Sequence, residues 1–341
     1  MHTFLVDACA RMEIKMTVVL NLVLLLVGFA LLIKGADFFV EGSAAVAKKF
    51  RVPGVIIGLT IVAMGTSAPE LAVSISAGLT GSNEIAISNV LGSNIFNLMI
   101  VLGVCVIMKP IVVDKAIIKR DFPFSIIITI VAALFIAENV IKGISSITDM
   151  TATSGVISRW NALIFLGLFA CYLIMTVMSA IKNRVDADDE IEDLSVLKSI
   201  IYIVGGVIAI VIGGQLVVNG AKAIALFCGM SETLVGLTVV ALGTSLPELV
   251  TSIVASSKGQ NGMAVGNVVG SNIFNILLIL GVSCTINPIA VGMQSLMDCI
   301  ILFAMSALVM VFALTNKKMG RKEGIIMVVL YAAYMVYAIV R

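Results

Sequence analysis

The chain reads as apolar runs of membrane-spanning length separated by short polar breaks. Ten such runs can be counted, at about 17–40, 54–79, 84–108, 122–138, 160–181, 199–227, 232–257, 262–286, 296–315 and 324–340. Each is near the roughly 20 residues that a helix needs to cross hydrocarbon. In a bilayer every backbone polar group must be satisfied inside the protein, which leaves helices or a closed barrel. Unbroken apolar runs of this length exclude the barrel.

The polar residues inside these runs follow a pattern that the chain writes twice. Gly58-Leu59-Thr60-Ile61-Val62-Ala63-Met64-Gly65-Thr66-Ser67-Ala68-Pro69-Glu70 returns from Gly236 to Glu248, and Asn89–Asn97 returns as Asn267–Asn275. The offset is 178 residues, and 25 of 40 positions match across 58–97. That interval covers five helices, an odd number, so the second half enters the membrane in the opposite orientation. The expected fold is an all-α integral membrane protein of about ten transmembrane helices in two inverted five-helix repeats, an architecture of secondary transporters with a midplane site. The divisions are an N-terminal segment at 1–16, a first repeat at 17–181, an acidic cytoplasmic linker at 182–198 and a second repeat at 199–341. The first run lacks a small-residue cleavage site and reads as a retained helix.

Composition changes this picture little. The chain is 60% apolar and 12% charged, with a mean hydropathy of +1.15, far from an ordinary soluble domain. One histidine, at position 2, leaves little for a histidine metal site, and no basic stretch suggests nucleic acid. Six cysteines without CxxC pairing read as small buried residues. The inner loops hold fifteen Lys and Arg against six outside when both termini lie outside, which sets that orientation. The expected setting is a multi-pass protein of the cell (inner or plasma) membrane. Lys34, Asp37 and Glu41 have Ile212, Gln215 and Asn219 as repeat counterparts and read as interfacial charges. Asp298 and Glu138, near helix ends, are expected to be solvated there.

The repeated motif carries the chemistry. Pro69 removes the amide that would bond the Gly65 carbonyl, so the helix should break between Ala63 and Pro69 and free carbonyls around Ala63–Thr66. Ser67, Glu70 and Ser74 then share one face of the following half-helix, as do Ser245, Glu248 and Ser252. The next helix of each repeat adds a stripe, Asn89, Ser93 and Asn97 in one and Asn267, Ser271 and Asn275 in the other. Gly92, Gly266 and Gly270 permit close helix approach. Ser67-x-x-Glu70 is also a capping box. A charged side chain in the bilayer nevertheless costs about 2.5–3.5 kcal/mol or more, and two at matched positions point to a cation. The donors are all oxygen, a hard set suited to Ca²⁺ or Na⁺.

At these motifs the chain resembles the calcium/cation antiporter superfamily, the sodium/calcium exchanger group, in a compact prokaryotic form. The resemblance implies a central diamond of Glu70, Asn97, Glu248 and Asn275. It implies flanking sodium positions at Thr66, Ser67, Ser93, Thr244, Ser245 and Ser271, with the carbonyls of Ala63 and Ala241. It also implies alternating access gated by a sliding pair, the first and sixth helices. Asn275, an Asp in potassium-coupled relatives, argues against potassium coupling. The expected function is Ca²⁺ exchange for Na⁺, or else for H⁺ through protonation of Glu70 and Glu248. No enzymatic chemistry and no cofactor are implied. The partners are the bilayer and inorganic cations, and a monomer suffices for transport.

Overall fold

The computed structural model describes residues 2–81, 83–143, 153–182, 194–230, 241–315 and 318–340. Almost all of them are helical. Helix α1 runs His2–Phe50, a single element of 49 residues. It therefore begins inside the segment 1–16 expected to precede it, because that stretch holds good helix formers and no Gly or Pro. It stops where Arg51 turns to a φ of 54° and Pro53 follows. Helices α2, Gly54–Thr66, and α3, Ala68–Thr80, follow one another across a bend of 47°. The rest are α4, Ile85–Met108; α5, Ile117–Glu138; α6, Arg159–Lys182; and α7, Val196–Phe227. Then come α8, Ala241–Gly243, and α9, Leu246–Ser257, followed by α10, Asn261–Ile286; α11, Met293–Thr315; and α12, Arg321–Val340.

Among the described residues, eight helices are long and apolar enough to cross a membrane, or nine with the bent pair as one span. The remaining expected span, 232–257, begins in residues 231–240, outside the described residues, and α8 and α9 are its described part. Most of the acidic linker also lies outside them. Helices α4 and α10 are the buried centre, whereas α1, α6 and α12 turn most of their surface outward.

Segments expected on one membrane side meet. Strand β1, Thr153–Ile157, pairs antiparallel with β2, Ile289–Gly292, a small sheet absent from the all-helical expectation. At the other end Ile111 bridges Met319. Arg159, first residue of α6, donates to the carbonyls of Thr285 (3.1 Å) and Ile286 (3.3 Å). Arg321, first residue of α12, donates to the carbonyl of Ile107 at 3.2 Å. Each arginine thus meets the carbonyl end of a central helix, where its charge complements the helix dipole.

Helices α1 and α7 run antiparallel on a seven-residue glycine repeat. A Cβ on Gly28 would meet the Gly213 carbonyl at 2.8 Å, on Gly35 that of Gly206 at 2.9 Å, and on Gly42 that of Ser199 at 2.8 Å. From the other side, Gly206, Gly213 and Gly220 would meet the carbonyls of Gly35, Gly28 and Asn21. The three pairs Gly28/Gly206, Gly35/Gly213 and Gly42/Gly220 keep the 178-residue offset. A period of seven is what keeps one stripe of a helix on its partner over several turns. Without a hydrophobic drive between helices in lipid, such backbone approach supplies the packing.

The test compares two neighbours. Gly206→Ala places a methyl against the Gly35 carbonyl and the Phe39 amide, each 2.8 Å away, an overpacking worth about 1–3 kcal/mol. Gly205, beside it, is exposed with no described atom within 4 Å of an added methyl. In detergent the first variant should melt several degrees below wild type and the second should not. Equal melting temperatures would show that the two helices separate at no cost.

Candidate cation-binding site

The bend in the first repeat falls at Ser67, whose ψ of 8° is not helical. Pro69 occupies the first turn of α3, where a missing amide costs nothing. Ser245, with ψ of 6°, and Pro247 repeat this before α9. A serine in that place usually caps its own helix. Neither does here. Ser67 Oγ instead donates to Glu248 Oε1 at 3.0 Å, and Ser245 Oγ donates to Glu70 Oε1 at 3.2 Å. Each repeat's serine therefore holds the other repeat's carboxylate.

Both glutamates are fully buried, at 0% exposure. Among the described residues no basic side chain pairs with either. Among the described residues, one oxygen of each, Glu70 Oε2 and Glu248 Oε2, has no partner, and Asn97 Oδ1 and Asn275 Oδ1 are buried and unpartnered as well. Thus all four positions of the expected diamond keep one oxygen uncommitted. A buried acceptor left this way is costly, more so when charged.

The flanking positions divide. Among the described residues, Thr244 Oγ1 and Ser271 Oγ are also buried without partners. Ser93 Oγ lies 3.1 Å from Ser245 Oγ, within hydrogen-bond reach. Thr66 Oγ1 lies 3.0 Å from Asn267 Oδ1 and near the carbonyls of Val62 and Ala63. The Ala63 carbonyl is not bare as expected, since it accepts from the Ser67 amide at 3.0 Å. The helix keeps this ordinary i→i−4 bond up to its bend; the carbonyl that Pro69 deprives is Gly65's. Ala241 opens α8 directly after the undescribed residues 231–240.

The Asn stripes do two jobs. Asn89 Nδ2 reaches the Glu70 carbonyl (3.4 Å) and Ser74 Oγ (3.3 Å), while Asn267 Nδ2 reaches the Glu248 carbonyl (3.5 Å) and Ser252 Oγ (2.9 Å). They tie the half-helices to the central helices. Asn97 and Asn275 each open a π-helical turn, Asn97–Val101 and Asn275–Ile279, a local widening common at functional sites. Of the packing glycines, Gly266 and Gly270 lie directly against the backbone of α2, whereas Gly92 meets no described atom within 4 Å.

Other sequence expectations sort as follows. Asp37 pairs with Lys258 at 2.8 Å and with Lys34 at 3.6 Å, and Glu41 lies 3.6 Å from Lys258, so these charges join α1 to the end of α9 away from the site. Asp298 is buried rather than solvated, at 4% exposure, and accepts from Tyr334 at 3.4 Å. Tyr334 of α12 supplies the hydroxyl that meets it. Cys171 and Cys228 are exposed, unlike Cys105, Cys284 and Cys299, because they lie on the outward faces of α6 and the end of α7.

Comparison with known proteins places this geometry. The profile of the family described as sodium/calcium exchanger protein matches residues 20–178 and 198–340. CaxA of Alkalimonas amylolytica, an antiporter by name, is 36% identical over 324 residues, 92% of this chain and 96% of its own length. The sodium/calcium exchanger MaX1 of Methanosarcina acetivorans is 33% identical over 345 residues, 94% of this chain and 98% of its own. A solved structure of the sodium-calcium exchanger NCX_Mj, soaked with 2.5 mM Na⁺ and 10 mM Sr²⁺, superposes with a TM-score of 0.79 at 34% identity, covering 94% of this chain and 99% of that one.

The uncommitted oxygens imply that a bound cation stabilises the fold. A ligand at 100 times its Kd adds about 2.7 kcal/mol. Adding Ca²⁺ or Na⁺ to purified, cation-depleted protein should raise the melting temperature, and the Glu70→Gln/Glu248→Gln double variant should not respond. A wild-type melting curve indifferent to both ions would show that the oxygens are satisfied some other way.

Proposed function

The chain belongs to the sodium/calcium exchanger protein family, and we propose that it exchanges Ca²⁺ for Na⁺ across the membrane it spans. One observation carries the reading: two buried carboxylates without a basic partner among the described residues, each held by a serine of the other repeat, with an oxygen on each and on Asn97 and Asn275 that no described group engages. Two negative charges match one Ca²⁺ or two Na⁺, so the ions compete for one set of donors. The proposed ligands are Glu70, Asn97, Glu248 and Asn275. The outer positions are Thr66, Ser67, Ser93, Thr244, Ser245 and Ser271, with the carbonyls of Ala63 and Ala241.

The remaining elements of the proposal follow from the same frame. The repeats are inverted, and access alternates between the two sides as α1 and α7 shift against the central helices. Both halves of the site come from one chain, which supports a monomer as the working unit. Ions are cargo, and no resident cofactor is required. Both termini lie outside a cell or inner membrane; a relative from Escherichia coli, 32% identical over 274 residues, is named an inner membrane protein. Asn275, uncharged, supports exchange without potassium. The second reading, H⁺ in place of Na⁺, rests on the same unpaired carboxylates, which can take up protons.

The experiment is Ca²⁺ uptake into proteoliposomes. Uptake should follow an imposed Na⁺ gradient and ignore an imposed pH gradient. Glu70→Gln and Glu248→Gln should each reduce it to the level of empty vesicles while eluting as monodisperse protein. Uptake driven by pH alone selects the second reading, and near-normal exchange in either variant shows that the site lies elsewhere.

A further inference from the structure

Asn97 and Asn275 can serve a cation only with the amide oxygen turned inward. An amide turned the other way presents two N–H donors to the ion. Oxygen and nitrogen are nearly equal in size, so packing alone does not choose between them. Hydrogen bonds must.

Those bonds come from Asn94 and Asn272, whose roles the sequence reading did not single out. Asn94 Nδ2 donates to the backbone carbonyl of Asn272, and Asn272 Nδ2 donates to the backbone carbonyl of Asn94, both at 3.1 Å. A carbonyl can only accept, so it settles which end of each amide faces it. The Oδ1 atoms of this pair are then turned to the ligand asparagines. Asn275 Nδ2 donates to Asn94 Oδ1 at 2.9 Å, and Asn97 Nδ2 donates to Asn272 Oδ1 at 3.2 Å. With their nitrogens committed, Asn97 and Asn275 leave Oδ1 buried and unpartnered. Asn94 and Asn272 are themselves 0% and 2% exposed, so water does not compete for these bonds.

We propose that Asn94 and Asn272 are positioning residues of the cation site, each fixing the amide orientation of the other repeat's ligand asparagine. This rests on the proposed function and deepens it. The polarity of the site is set by two backbone carbonyls and relayed through one side chain on each side. Neither positioning residue touches the ion. Each repeat's ligand is aimed by the opposite repeat, so the two halves of the site can form only together.

A double-mutant cycle separates this from a merely structural role. A carboxylate has two equivalent oxygens and needs no aiming. Asn94→Leu should therefore weaken Ca²⁺ binding at least about tenfold when residue 275 is Asn. It should cost less than about threefold in the Asn275→Asp background. Binding is read by ⁴⁵Ca²⁺ titration of purified protein in Na⁺-free buffer. The mirrored cycle, Asn272→Leu with Asn97→Asp, reads the same effect and serves if Asn94→Leu does not fold. Equal losses in both backgrounds would overturn the assignment and leave the proposed function standing. A wild-type protein that binds no Ca²⁺ would overturn the function itself, and the assignment with it.

Discussion

Two carboxylates sit at the centre of an apolar helix bundle with no basic residue, among those described, to balance them. Burying one unpaired charge costs several kcal/mol even after relaxation, and this fold accepts two. The surrounding structure is arranged around that constraint. Serines that would ordinarily close their own helix ends give up that role and hold the acids instead. Asparagines on the central helices brace the same half-helices through the carbonyls of Glu70 and Glu248. The one deficit left unfilled is positive charge.

The solution is built by exchange between halves. Ser67 serves Glu248 and Ser245 serves Glu70; Asn94 serves Asn275 and Asn272 serves Asn97. The same reciprocity reaches the periphery, where Arg159 and Arg321 each meet the carbonyl end of the other half's central helix; Tyr172 and Tyr334 instead each face a buried aspartate of their own half, Asp121 and Asp298. Yet the match is incomplete. Thr66 and Ser93 have partners where, among the described residues, Thr244 and Ser271 have none.

Much of this was legible in the chain. Apolar run lengths located most helices to within a few residues, and the doubled motif pointed to both glutamates and the bend. The misses have physical causes. The start of α1 was hidden because a mixed polar stretch without Gly or Pro carries no stop signal. Ser67 fits a capping box equally well, and only the position of Glu248 decides which acceptor it takes. Asn94 and Asn272 are part of the repeat, but a residue that aims another is defined by partners 178 positions away. The outer parts of the repeat escaped because few residues survive there. The glycines of α1 and α7 keep the offset, whereas Arg159/Arg321 and Tyr172/Tyr334 are shifted to 162.

Along its glycine stripe the contact between α1 and α7 is backbone on backbone, with glycine facing carbonyl at intervals of two turns, while side chains such as Phe38 against Tyr202 flank it. An interface of interlocking side chains resists axial shear, because every knob must first leave its hole. Along the stripe itself there are few knobs to withdraw, so that part of the contact offers little resistance to small displacements along the common axis. The next equivalent register, one heptad away, lies about 10 Å along the helix. The seam is therefore smooth over short travel and keyed over long travel, a track with widely spaced stops.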